Sequence, residues 1–279
     1  MKFDANRFII DSHRGAFKEG LLENSIPAFD RSYEEGANVL ECDLRLTNDG
    51  EVVLIHNSTI NHVASSAINV PETSEFDESP KGKVKNHTLS YLKALKYENH
   101  AELLSLPELL GWMNKRKMGA QLELKSNCGT KVLEDIEEAK LDFENLLGPV
   151  VITSFNWWFV RKLQKKAINY DIPLYDHDGT PGLAFGFQAI KMGSFYGKWV
   201  LRKFKKLEVW GGMTHYRYMP IQRLDYAHKC GIKFCPRVPD DEKLIFRYLD
   251  AGVDGFETDN VPLIRSCCEK KGVDLWPAP

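Results

Sequence analysis

Short runs rich in aliphatic and β-branched residues alternate along the chain with stretches whose apolar positions recur at helical spacing. Eight strand-like runs stand out, at 7–12, 38–46, 119–126, 149–153, 172–175, 208–213, 232–238 and 255–258. Parallel strands with a helix after each close most naturally into a (β/α)8 TIM barrel, an α/β fold whose chemistry lies at the strands' carboxyl ends. The expected organisation is one barrel domain spanning 1–279.

Local signals agree with that alternation. Ser25 can cap a helix whose first turn holds Pro27, with Ile26, Phe29 and Tyr33 as its apolar stripe. Pro239-Asp240-Asp241-Glu242 places acids at the start of another helix, which can end at Ala251-Gly252. Two regions depart from the pattern: 57–106 reads as a polar, loop-rich insertion and 176–206 as a long loop. The part at 182–206 mixes Phe185, Phe187 and Trp199 with lysines and arginines. It reads as a solvated amphipathic helix or a lid in weak contact with membrane lipid.

A net charge of −2 offers no global attraction for nucleic acid, so an anionic ligand must be held locally. The amino terminus lacks a signal-peptide pattern and no apolar run has the length of a membrane span, which predicts a cytoplasmic protein. The six cysteines follow no framework spacing and read as reduced thiols, with Cys42 packing outward from the barrel axis.

Strand alternation then collects chemistry on one face. In Glu41-Cys42-Asp43-Leu44-Arg45, residues 41, 43 and 45 share a face. Thr47-Asn48-Asp49-Gly50 reads as a turn that returns the chain to His56. Glu123 and Lys125 share a face of the third strand. Three carboxylates in one barrel mouth repel one another and resist desolvation, a conflict that a divalent cation resolves. The all-oxygen set selects Mg2+ or Ca2+. His13-Arg14-Gly15 ends the first strand with an imidazole, a forked cation and a flexible backbone, types suited together to an anion.

His13-Arg14-Gly15, Glu23-Asn24-Ser25, Gly36-Ala37, Glu41-x-Asp43, Thr47-x-Asp49-Gly50 and His56 resemble, in order and spacing, the motifs of glycerophosphodiester phosphodiesterases. Leu122-Glu123-Leu124-Lys125, Ser154-Phe155 and the stretch from Gly252 to Asp259 extend the resemblance over about 7–264. It implies metal-dependent hydrolysis of a small glycerophosphodiester to glycerol 3-phosphate and an alcohol, through a cyclic phosphate or by direct attack of water. It also implies that Glu41, Asp43 and Glu123 ligate one divalent cation and that His13 and His56 exchange protons. Arg14 and Lys125 would neutralise phosphate, and Glu23 would contact the ligand or orient Arg14.

Two positions depart from the family pattern. Asn57 stands where the family has Asp after the second histidine, which alters the surroundings of His56. Arg237 lies in a seventh strand that reads Pro236-Arg237-Val238-Pro239, where it can face phosphate. Related readings are a phospholipase on lysolipids and a catalytically silent phosphate-binding barrel. Asp176-His177-Asp178 reads as a loop salt bridge or metal triplet, and Trp157-Trp158 as helix-to-barrel packing or a stacking surface.

Overall fold

Strand formation follows the alternation of inward and outward side chains. In the computed structural model the strands are β1 (Ile9–His13), β2 (Val39–Leu46), β3 (Val52–Leu54), β4 (Ala67–Asn69), β5 (Lys96–Tyr97), β6 (Gly119–Leu124), β7 (Val150–Thr153), β8 (Leu183–Gln188), β9 (Gly211–His215), β10 (Lys233–Arg237) and β11 (Gly255–Thr258). The structure describes residues 3–4, 6–17, 20–61, 67–69, 81–97, 102–176, 179–188, 201–202, 204–206, 209–218 and 220–276.

β1, β2 and β6 to β11 pair in parallel, and β1 pairs with both β2 and β11, so the sheet closes into a barrel. Outward residues such as Ile10, Leu40, Cys42, Leu44 and Leu122 pack against the helices in the main core. Inward residues Ile9, Val39, Val151, Ala184, Met213 and Cys235, with Trp210, fill the barrel's floor. All six cysteines are buried and unpaired, and Cys42 lies in the outer core as the alternation predicts.

The predicted helix starts are present. Ser25 caps α1 (Ile26–Glu34), accepting from the Ala28 N–H, with Pro27 in the first turn. Asp241 caps the helix Glu242–Asp250 through the N–H groups of Lys243 and Leu244, and Gly252 beyond it has φ +77°. β3 runs antiparallel to β2 after the turn at 47–50, where the Thr47 N–H donates to the Glu51 carbonyl and Gly50 has φ +84°.

The fifth barrel strand differs from the predicted one. Ile172–Tyr175 contributes only a bridge from Leu174 to Leu183, and the strand itself is β8, within the stretch expected to be a loop. Pro173 lacks the N–H a central strand donates to its ladder, whereas Leu183–Gln188 donates and accepts on both edges, to β7 and β9. Phe185 and Phe187 are therefore core residues rather than lid residues. Residues 189–200 of the expected lid, and His177 and Asp178, lie outside the described residues.

The described parts of the insertion at 57–106 hold more regular structure than its polarity suggests. Its described parts include the β4–β5 pair and the helix Leu89–Ala94, and Ile60, Val84, Leu92, Leu95 and Leu103 form a small core against Val53 and Ile55. That core sits directly behind the backbone leading to His56. Among the described residues no helix is long and apolar enough to cross a membrane.

Candidate active site

Because barrel strands tilt, residues at one level come from alternate strands. The observed registers place His13, Glu123, Gln188 and Arg237 at one level, with Asp43, Phe155, His215 and Asp259 above it at the mouth. Glu41 lies one level below His13. The sequence motifs, distant along the chain, thereby meet in one mouth.

The acids converge as expected: one ligand oxygen each from Glu41, Asp43 and Glu123 lies within 4.8 Å of the others. Each carboxylate has one oxygen held by a neighbour. The Arg14 N–H donates to Glu41 Oε2 (3.2 Å), the Asn24 amide to Asp43 Oδ2 (3.1 Å) and the Gln188 amide to Glu123 Oε2 (2.7 Å). The remaining oxygens, Glu41 Oε1, Asp43 Oδ1 and Glu123 Oε1, are buried and accept no aligned hydrogen bond. Lys125 Nζ is an ionic neighbour of the last two, 3.2 Å from Asp43 Oδ1. Three buried carboxylate oxygens gathered this closely are a fitting shell for a hard divalent cation.

Electrostatics point the same way. Burial, followed by repulsion from Asp43, Glu257 and Glu123, pushes the Glu41 carboxyl well above the usual range. Burial acts in that direction on Asp43 too, but Lys125, Arg14 and His56 outweigh it and bring Asp43 below its ordinary value. Glu41 thus has the strongest demand for a further positive charge.

The β1 turn is shaped for this arrangement. Arg14 and Gly15 are both left-handed, with φ +56° and +81°. A Cβ on Gly15 would sit 2.9 Å from Ala28 Cβ and from Phe29, so α1 packs where only glycine fits. Arg14 Nη1 donates to Glu23 Oε2 (2.9 Å), and its Nε lies 3.2 Å from Asp43 Oδ2. Glu23 therefore orients Arg14. Asn24, also at positive φ, ties that loop to β2 by accepting from the Asp43 N–H and donating to its carboxylate.

Both histidines have Nδ1 fixed by an oxygen. His13 Nδ1 is 2.8 Å from Asp259 Oδ1, while its Nε2 faces Glu41 Oε2 at 3.9 Å. His56 Nδ1 is 2.9 Å from Asn57 Oδ1. Arg45 holds the His56 carbonyl through Nε and Nη2, at 3.0 and 2.7 Å, and donates through Nη1 to the Lys125 carbonyl. Burial lowers the His56 pKa from its ordinary value; Asp43 opposes this, while Arg14 and Lys125 add to it.

Arg237 is turned onto acids of its own end of the barrel, with Nη2 3.1 Å from Asp259 Oδ2 and Nε 3.8 Å from Glu257 Oε1. The expected phosphate cation is in this structure an ion-pair partner of the carboxylate behind His13. Trp157 packs partly on the core, whereas Trp158 is 54% exposed and stacks on Trp157.

Asn24 and Asp259 lie inside quoted motifs, but nothing local marks what their side chains touch. Gln188 carries no sequence signal, since its strand was placed elsewhere.

The model of the glycerophosphoryl diester phosphodiesterase family matches residues 13–263. The chain belongs to this family. A glycerophosphodiester phosphodiesterase of Caldanaerobacter subterraneus is 26% identical over 278 residues, covering 95% of this chain and 99% of the relative. Among solved structures, an Oleispira antarctica phosphodiesterase in complex with the product sn-glycerol-3-phosphate superposes with a TM-score of 0.72 at 18% identity, covering 94% and 96% of the two chains. A glycerophosphodiester phosphodiesterase from Agrobacterium tumefaciens gives 0.70 at 18% identity, covering 93% and 99%. These likenesses establish the barrel, and the family match makes this glycerophosphodiester phosphodiesterase homologue a phosphoric diester hydrolase.

Proposed function

We propose that the protein hydrolyses glycerophosphodiesters to glycerol 3-phosphate and an alcohol, with His13 and His56 exchanging protons beside one Mg2+ or Ca2+ held by Glu41, Asp43 and Glu123. The observation that carries this reading is the convergence of three buried carboxylates, one oxygen of each within 4.8 Å of the others, beside two histidines whose Nδ1 atoms are each fixed. When bound, the cation supplies Lewis-acid polarisation of the phosphoryl oxygens.

The residues divide the remaining work. Arg14 and Lys125 balance charge developing on phosphorus. His56, with its lowered pKa and Nδ1–H directed at Asn57, is the neutral ring and takes the proton of the attacking hydroxyl at Nε2. His13, with Asp259 at Nδ1 and Glu41 facing Nε2, gives a proton from Nε2 to the leaving alkoxide. With the glycerol 2-hydroxyl as nucleophile the product is a cyclic phosphate. Water then opens it, losing its proton to His13 while His56 returns one to the ring oxygen, so both histidines end as they began.

Release of alcohol from glycerophosphocholine, glycerophosphoethanolamine, glycerophosphoinositol and lysophospholipids, with and without chelator, tests the reading. Chelator-sensitive glycerol 3-phosphate formation is expected. Inactivity across the panel with Mg2+ and Ca2+ both supplied would refute it.

A further inference from the structure

The helix Trp157–Ala167 buries Val160, Leu163 and Ala167 against the core. Trp158, Arg161, Lys162, Lys165 and Ile168 recur three or four apart and share the opposite, outward face. Among the described residues the exposed large hydrophobic side chains are Phe155 (51%), Trp158 (54%) and Ile168 (71%), and all three lie on this helix or beside its ends. Single apolar side chains scattered over a surface need no partner, whereas a group of them on one helix marks an interaction surface. Phe155 stands at the barrel mouth, with Lys125 Nζ 5.8 Å from its ring centroid, so this face reaches the rim of the candidate site.

The same face carries positive charge and no negative charge of its own. Between Glu144 and Asp171 the chain has no acidic residue and four basic ones, Arg161, Lys162, Lys165 and Lys166. Lys166 donates to the Thr130 hydroxyl at 2.9 Å, and Arg161 lies over the Trp158 ring, 5.9 Å from its centroid. Among the described residues Arg161, Lys162 and Lys165 form no ion pair. In a chain of net charge −2 this is a local positive field. A cavity of about 630 Å³ lies along the helix. Three cations line it, Arg161, Lys165 and Lys206, together with the buried apolar side chains of Leu183, Phe185 and Trp210. Asp176 is the one acid among its described lining residues. Cations beside an apolar wall suit a phosphate carried on an apolar body.

We propose that this face docks on an anionic lipid membrane. Trp158 and Ile168 enter the interface, Arg161, Lys162 and Lys165 meet lipid phosphates, and the cavity seats one acidic phospholipid headgroup. Tryptophan favours the headgroup layer, and long basic side chains lay their stems on apolar surface while their charges reach lipid phosphate. A nucleic acid answers the cations but leaves Ile168 and the apolar lining without a partner. A second copy of this chain would bring like charges against them in a two-fold contact. An anionic lipid surface supplies both halves of the complement.

Vesicle binding tests the proposal and needs no turnover. Co-sedimentation with phosphatidylcholine vesicles containing phosphatidylglycerol is expected to exceed that with phosphatidylcholine alone by about tenfold at low salt, and to weaken as salt is raised. Lys162→Glu combined with Lys165→Glu should lower binding about tenfold or more. Trp158→Ser should lower it about fivefold and remove most of the shift of tryptophan fluorescence to shorter wavelength on binding.

Equal sedimentation with both vesicle types, none with either, or wild-type binding by both variants would overturn the proposal. Without vesicle binding, a complex with a DNA duplex would assign the face to nucleic acid, and a dimer dissolved by Trp158→Ser would assign it to a second copy; either result overturns it. Lys162 and Lys165 are exposed, so their double variant should keep the wild-type melting temperature. Should Trp158→Ser melt lower through loss of its stacking on Trp157, Ile168→Glu takes its place, with a loss of about fivefold again expected.

Discussion

His13 and Asp259 lie 246 residues apart in sequence and meet at 2.8 Å between Nδ1 and Oδ1. Closure of β11 against β1 makes the contact, because each strand delivers its last inward residue to the same side of the mouth. Burial alone would raise the Asp259 pKa, but the hydrogen bond and charge of His13, with Arg237 behind, hold it well below the usual carboxylate range. Asp259 is an ionised acceptor throughout the neutral range, and it fixes which nitrogen of His13 faces the barrel mouth. Asp259→Asn is therefore expected to lower kcat by about 10²-fold with KM little changed, measured by steady-state glycerol 3-phosphate release.

Asn24 reaches the proposed cation site through Asp43. Asn24→Ala removes the donor to Asp43 Oδ2 and frees that carboxylate to rotate. Affinity for Mg2+ or Ca2+, read by calorimetry or equilibrium dialysis, is expected to fall about 10- to 100-fold. Glu123→Gln, which removes a ligand charge outright, should weaken binding further.

The pH dependence follows from His56. As the proposed base it must be neutral, so activity on the acid side is expected to be lost as pH falls through its pKa. Burial, Arg14 and Lys125 lower that pKa against Asp43, so the acid limb of kcat/KM extends below that of an ordinary imidazole. Asn57→Asp places a negative charge against Nδ1, raises the pKa and is expected to move the limb to higher pH. A pH–rate profile in which the variant's limb stays in place or moves down would contradict the base role.

Gly15 is set by space as well as by φ. Gly15→Ala puts a methyl group 2.9 Å from Ala28 Cβ at a backbone of φ +81°. A loss of about 1–3 kcal/mol in unfolding free energy is expected from urea titration, with a drop in activity as the Arg14 turn shifts.

Removal of the proposed cation leaves Glu41 buried beside Asp43, Glu257 and Glu123, whose charges add to burial in pushing its carboxyl up. Chelation is expected to abolish turnover, and re-addition of the cation should restore turnover and raise the melting temperature by mass action. An unchanged melting curve over a saturating titration would argue against a site at Glu41, Asp43 and Glu123.

Much of the site was legible because its parts are local. Glu41 and Asp43 share a face by strand periodicity, the turn at 47–50 returns the chain toward His56, and His13 ends an apolar run where barrel strands present their chemistry. The capped start of α1 and the acid-capped helix at 242 were equally plain, since a cap acts within three residues. Outward packing of Cys42 needed only the period of two.

The remainder depended on partners the chain brings from elsewhere. Leu183–Gln188 carries no clearer strand signal than Ile172–Tyr175, and the free N–H groups needed on both edges decided between them. The role of Gln188 at Glu123 was hidden with its strand. Arg237 has the charge for phosphate, and its ion pairs with Asp259 and Glu257 have no local signal in the sequence. By itself, then, the sequence determined the alternation of strand and helix and which residue types point into the barrel. Only the tertiary structure, through register and closure, decided which of those residues touch, because hydrogen bonds and ion pairs act over a few ångströms and strand order is not written in any local pattern.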